Sequence, residues 1–142
     1  MSDLTTADRL EIQEALYRYC HYLDHGRWDE FAALFTPDCR LDLSQVLGLY
    51  EGADGIRQFT DMMRSLGLFM RHLVTNVVVD GNAERARAAA YVIAITGQPG
   101  ATQQQSTGLY EDELVKHGGR WLFRHRHLRL DVAAAASAKN SG

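Results

Sequence analysis

Two residues far apart in the chain have the types needed for an acid–base pair. His72 stands in Met70-Arg71-His72-Leu73-Val74-Thr75-Asn76, a run that otherwise reads as buried strand. Alternation puts His72, Val74, Asn76 and Val78 on one face and Leu73, Val77 and Val79 on the other. A histidine and an asparagine among valines each need a partner or a wet pocket, because an unpaired buried polar group costs about 1 to 3 kcal/mol. His72 is therefore either a satisfied core residue or a general base. Asp24 closes the segment Tyr22-Leu23-Asp24-His25-Gly26, about 100° around a helix from its apolar stripe. A carboxylate near a helix C-terminus is electrostatically disfavoured, so Asp24 either faces solvent or has a compensating partner. Tyr19 lies on the stripe itself, where a phenol either packs with one hydrogen bond or donates to a ligand oxygen.

Other chemistry is thinly represented. His125 and His127 are two apart on one strand and could converge on a metal ion, but no third ligand stands at a recognised spacing. The alternation from Trp121 and Phe123 would turn both histidines inward. The chain contains no GxGxxG, P-loop, GxSxG or HExxH signature, which argues against nicotinamide redox, phosphoryl transfer and serine hydrolysis. No cofactor and no metal is expected.

The elements that must position these residues can be read from periodicity. Ile12, Leu16, Tyr19, Cys20 and Leu23 recur at helical spacing, with Asp8 and Glu11 as the expected N-terminal cap and Gly26 as the stop. Trp28, Phe31, Leu34 and Phe35 predict a second, short helix closed by Thr36-Pro37-Asp38. A short strand is expected over Cys39 to Leu43. A third helix runs from Ile56 through Phe59, Met62 and Met63 to Leu66 and ends at Gly67. Four strands follow, Met70 to Asp80, Arg85 to Thr96, Gln103 to Lys116 and Arg120 to Leu130, separated by glycine-containing turns. Helices first and an antiparallel meander afterwards is an α+β pattern, with the helices on one face of a curved sheet.

Composition sets the outer bounds. The 142 residues are 46% hydrophobic and 23% charged, which suits one globular domain spanning 1–142, with a core over about 5–131 and a fraying tail at 133–142. The net charge of -3 disfavours nucleic acid, which calls for a basic surface, and a small organic ligand fits better. Arg85, Arg87, Arg124, Arg126 and Arg129 read as solvated strand faces. Cys20 and Cys39 read as buried thiols rather than a bridge. Met1 to Arg9 lacks a basic patch followed by an apolar run, and no membrane span is visible, so a soluble cytoplasmic protein is expected.

Three local patterns add a resemblance. They are Tyr19-Cys20-His21-Tyr22-Leu23-Asp24-His25-Gly26-Arg27-Trp28-Asp29 running into Leu34-Phe35-Thr36-Pro37-Asp38, then Arg71-His72-Leu73-Val74-Thr75-Asn76, then Gly108-Leu109-Tyr110-Glu111-Asp112 before Gly119-Arg120-Trp121. Together with the element order they resemble the SnoaL-like branch of the cone-shaped α+β superfamily that includes scytalone dehydratase. The resemblance implies a curved antiparallel sheet wrapped around the N-terminal helices and enclosing a pocket. It implies that Asp24 holds His72, as the corresponding Asp and His do in family dehydratases, and that Tyr19 is a catalytic donor. Glu111 stands near the position where the family's dehydrochlorinase has an arginine, so that leaving-group contact is absent and the resemblance lends less support to dehydrochlorination. Arg85 to Thr96 contains no second histidine, which leaves Tyr19, Tyr110 or His127 as a further acid.

The activity implied is a cofactor-independent, dehydratase-type lyase acting on an apolar cyclic carbonyl compound. His72, Asp24 and Tyr19 are then catalytic, and Asn76, Tyr110 and His127 bind substrate. The same base and donor would serve an isomerase or polyketide cyclase. A non-catalytic binding or assembly module, as in dioxygenase small subunits, would keep the pair as a structural hydrogen bond. A homodimer or homotrimer is expected through an outer sheet face carrying Leu73, Val77, Val79, Tyr91, Ile93 and Ile95.

Overall fold

The computed structural model describes residues 2–101 and 103–131, so the expected fraying tail lies outside the described residues. Helix α1 (Thr6–Asp24) opens on Thr5, whose hydroxyl accepts the Asp8 amide while the Asp8 carboxylate accepts the Thr5 amide. The cap thus sits three residues earlier than the Asp8–Glu11 pairing expected from sequence. The physical reason is that Asp8 has a second task. Its Oδ1 accepts from Trp121 Nε1 and Lys116 Nζ, both at 3.0 Å, which ties the start of the helix to the sheet. After His25 the chain turns at Gly26, whose φ of 68° favours glycine.

Helix α2 (Trp28–Ala32) is followed by strand β1 (Phe35–Leu43), which begins well before the expected Cys39. Pro37 was read as part of a helix stop, yet it lies within β1 where the pairing with the neighbouring strand is irregular between Phe35 and Arg40. A proline has no N–H to give to a ladder, so it fits at such an interruption. Strand β2 (Gly48–Glu51) leads into α3 (Gly52–Leu66), which ends on Gly67 in the left-handed conformation. Strands β3 (Phe69–Gly81), β4 (Arg85–Gly97), β5 (Gln104–His117) and β6 (Arg120–Leu130) follow within a residue or two of the expected bounds.

The six strands form one sheet in the order β2-β1-β6-β5-β4-β3. All neighbours are antiparallel except β1 and β6. The curved sheet does not close: β2 and β3 are its edges. Helix α1 packs against β3 and β6, and α3 against β1 and β2, so the helices cover the concave face. Ile12, Leu16, Tyr19, Phe31, Phe59 and Phe123 are buried there. This is the α+β cone expected from the sequence. Cys20 and Cys39 are buried free thiols. No described helix is long and apolar enough to cross a membrane.

Two one-residue irregularities decide which side chains face inward. On β3 the register with β4 shifts between Thr75 and Val78, and Asn76 there adopts a φ of 52°. Beyond this bulge Val77 and Val79 turn toward the core and Val78 becomes exposed. On β6 Glu113 pairs with His125 but Leu114 pairs with Phe123, which leaves Arg124 as the extra residue. Beyond it Arg126 and Leu128 turn inward, while His125, His127 and Arg129 turn to the convex face. A bulge reverses the sidedness of everything that follows it, because side chains alternate with a period of two.

The Asp8 anchor carries an acid-sensitive contribution to stability. Hydrogen bonds from the Thr5 backbone, Trp121, Lys116 and the Thr5 hydroxyl hold its carboxyl well below the usual carboxylate range. A group whose folded pKa is depressed contributes fully above its unfolded value, near 3.8, and loses that contribution as the pH falls below it. Asp8→Asn, which keeps an acceptor for Trp121 but no charge for Lys116, is therefore expected to lower Tm at neutral pH. It should also flatten the fall in Tm between about pH 5 and pH 2, the range over which the contribution of a depressed carboxyl is lost. Thermal melts across that range check it, and an unchanged acid slope would show that Asp8 does not set the acid limit.

Candidate active site

The end of α1 lies beside the edge strand β3, and this brings Asp24 to His72 across 48 residues of sequence. Asp24 Oδ1 lies 2.5 Å from His72 Nδ1, and Oδ2 accepts the His72 backbone N–H at 2.8 Å. Both side chains are nearly buried, at 5% and 11% exposure. An ionised carboxylate can only accept, so the proton between them sits on Nδ1 and leaves Nε2 as the basic ring nitrogen. Gripping the amide and the ring of one residue also fixes the tilt of the imidazole. The compensating partner that a carboxylate at a helix C-terminus requires is thus His72.

His72 lines a cavity of about 320 Å³ enclosed between the helices and the sheet. Leu23, Leu43, Phe59, Met63, Met70 and Leu128 give it apolar walls, and Val46, Leu47 and Leu66 are partly exposed at its lip. The polar side chains on its wall fall in two places. Tyr19 and Tyr110 form one group, and Thr96, Gln104 and Ser106 on β4 and β5 form the other.

The tyrosines rest on a buried ion pair. Their ring centroids are 5.8 Å apart. Beneath them the Arg126 guanidinium lies 3.7 Å from the Tyr110 ring centroid, 4.2 Å from that of Tyr19 and 4.5 Å from that of Phe123. Asp112, the register neighbour of Arg126, receives Nε and Nη2 at 2.8 Å each. Both charged side chains are fully buried, and among the described residues Arg126 Nη1 has no hydrogen-bond partner. Burial pushes the Tyr19 hydroxyl up to about 12, with the Arg126 charge pulling the other way. Burial raises Tyr110 well above its ordinary value too. Both phenols therefore remain protonated at neutral pH and can act as donors.

The structure brings together four of the six residues expected at the site: His72, Asp24, Tyr19 and Tyr110. Asn76 is exposed on the β3 bulge and does not line the cavity, so it does not position a ligand there. His127 faces the convex side of the sheet, 4.0 Å from Asp42 and near Glu111, because the bulge at Arg124 has turned it outward. His125 and His127 are stacked there, and among the described residues no group of three or more His, Cys, Asp or Glu is placed to hold a metal ion.

The sequence reading missed Arg126 and Asp112. Arg126 was assigned to a solvated face and is fully buried. Glu111 lies on the outer face against Arg129 at 3.0 Å, while Arg126 comes from the next strand. A signal was present: Asp112 and Arg126 are opposite charges at nearly equal distances from the turn joining β5 and β6. Reading it required the extra residue at Arg124.

Comparison with known proteins places this architecture. The model of the SnoaL-like domain matches residues 5–127. An uncharacterized protein of Mycobacterium tuberculosis is 30% identical over 121 residues, covering 81% of this chain and 80% of its own. A structure from Novosphingobium aromaticivorans, provisionally named scytalone dehydratase, shares 26% identity over 91% of each chain with a TM-score of 0.80. LinA superposes with a TM-score of 0.80 at 18% identity, over 92% of this chain and 90% of its own, a likeness of fold alone.

Proposed function

The chain belongs to the SnoaL-like domain family, and from that premise we propose that it is a cofactor-independent lyase eliminating water from a neutral cyclic ketone. The observation that carries this reading is the Asp24–His72 pair at 2.5 Å, set in the wall of an apolar cavity that the Tyr19 phenol also lines. His72 Nε2 removes a proton from the carbon next to the carbonyl, and the electron pair moves onto the carbonyl oxygen. Tyr19 donates a hydrogen bond to that oxygen, with the Arg126 charge beneath its ring, where charge develops in the transition state. Asp24 stabilises the imidazolium. The enolate then expels the hydroxyl from the β-carbon, and the proton held on His72 leaves with it as water. The ring carbons are left joined by a double bond conjugated to the carbonyl. The scytalone dehydratase name carried by the Novosphingobium relative supports an elimination of this kind.

The test is deuterium exchange next to the carbonyl of 4-phenylcyclohexanone in heavy water, followed by NMR. A matching 3-hydroxy ketone then reports dehydration through the near-ultraviolet absorbance of the enone. Exchange that is catalysed and depends on His72 is the expected result. A rate no different from buffer for both compounds counts against proton abstraction.

Self-association is proposed as well, supported by partly exposed Leu73, Val78 and Tyr91 on the convex face of β3 and β4. Of the residues first expected on that surface, Val77 and Val79 face the core instead, and Val78 replaces them. Sedimentation should give a dimer or trimer, and a clean monomer near 15.9 kDa would remove this proposal.

A further inference from the structure

Strand register lays out the second polar group of the cavity relative to His72. His72 pairs with Ala94 and Ala94 with Ser106, so these three form one row across β3, β4 and β5. Met70, Thr96 and Gln104 form the next row toward the strand ends. All six line the cavity. Neighbouring strands lie about 4.8 Å apart, so His72 and Ser106 are separated by about 9.5 Å, with only the Ala94 methyl between them. The row is a shelf with a base at one end, a hydroxyl at the other and little bulk in the middle.

The chemistry of that far end is specific. Thr96 and Gln104 flank Ser106, and together they offer uncharged donors and acceptors. Among the described residues no Asp, Glu, Lys or Arg lines the cavity, so none of them at the Ser106 end would pair with a carboxylate or phosphate. The volume of about 320 Å³ corresponds to about ten waters of liquid, which is room for two six-membered rings.

We propose that Ser106, flanked by Thr96 and Gln104, binds a second neutral oxygen of the substrate, a hydroxyl or carbonyl at the far end from the reacting ketone. The substrate class is then a neutral two-ring ketone oxygenated at both ends. This deepens the lyase reading and rests on it for which end reacts.

The probes are 4-phenylcyclohexanone and 4-(4-hydroxyphenyl)cyclohexanone, the second carrying oxygens at opposite ends of the molecule at a separation matched to two strand spacings. Binding is read by NMR titration and reactivity by deuterium exchange. The wild-type protein should bind the hydroxylated probe about 2- to 10-fold more tightly, the range that one neutral hydrogen bond supplies. Ser106→Ala should bring the hydroxylated probe to the level of the plain one, while Ser106→Thr, which keeps a hydroxyl, should retain most of the preference. His72→Ala should abolish exchange and leave the preference intact. A preference without catalysed exchange would uphold the Ser106 subsite and sink the proton-abstraction reading. Equal affinities in the wild type, a preference that survives Ser106→Ala, or failure of both probes to bind would each overturn the inference.

Discussion

His72→Ala is expected to lower deuterium exchange into 4-phenylcyclohexanone by about 10²- to 10⁴-fold, the range that a positioned general base supplies. The protein should stay folded. The Asp24 carboxylate still accepts the backbone N–H of residue 72 at 2.8 Å, and only its contact with the ring is lost. The cost of that loss is about 1 to 3 kcal/mol for a buried acceptor left partly unsatisfied. His72→Gln separates the two meanings of the pair. A glutamine amide can donate to Asp24 as Nδ1 does, yet it has no basic nitrogen to offer the cavity. If the pair is catalytic, His72→Gln restores stability and leaves exchange at the alanine level. Recovery of exchange in that variant would mean that the imidazole is not the base, and the pair would become a structural hydrogen bond.

The second large effect is on stability. Arg126→Met should cost about 3 to 5 kcal/mol, because it leaves the Asp112 carboxylate, fully buried, without the cation that compensates it. Removing both charges, as in Asp112→Leu with Arg126→Met, should recover most of the loss, since neither ion then has to be held out of water. The double variant still lacks the positive charge beneath Tyr110 and Tyr19. Its exchange rate should therefore stay well below the wild-type rate although its stability returns. Urea unfolding of the single and double variants checks the first statement and exchange the second. A single-variant loss below about 1 kcal/mol would show that water reaches Asp112 and that the pair is not dry.

What the sequence revealed and what it hid divide along a physical line. Helical periodicity and glycine turns located α1, α3 and four strands, because burial on one face leaves a regular trace in residue type. Asp24 and His72 were found through resemblance, and either had an ordinary alternative when read alone. The errors at Asn76, Val77, Val79, Arg126 and His127 share one cause. Asn76 lies in a bulge and the others follow one, and an extra residue inverts inward and outward without changing the composition of the strand. Arg126 also runs against expectation for arginine, which is almost never fully buried unless paired, and its partner Asp112 lies on another strand. The error in the Asp8 cap has a long-range cause, since the role of Asp8 depends on Trp121 and Lys116, more than a hundred residues away.

The unclosed sheet leaves β3 as an edge, and an edge offers unpaired amides on which a stray strand from another chain can template aggregation. The His72 N–H that would serve such a strand is already held by Asp24, and four residues further on the bulge at Asn76 breaks the flat run. At the opposite edge β2 is only four residues long. The carboxylate proposed to orient a catalytic base thus also guards the sheet against growing by one strand at the point where the candidate site lies.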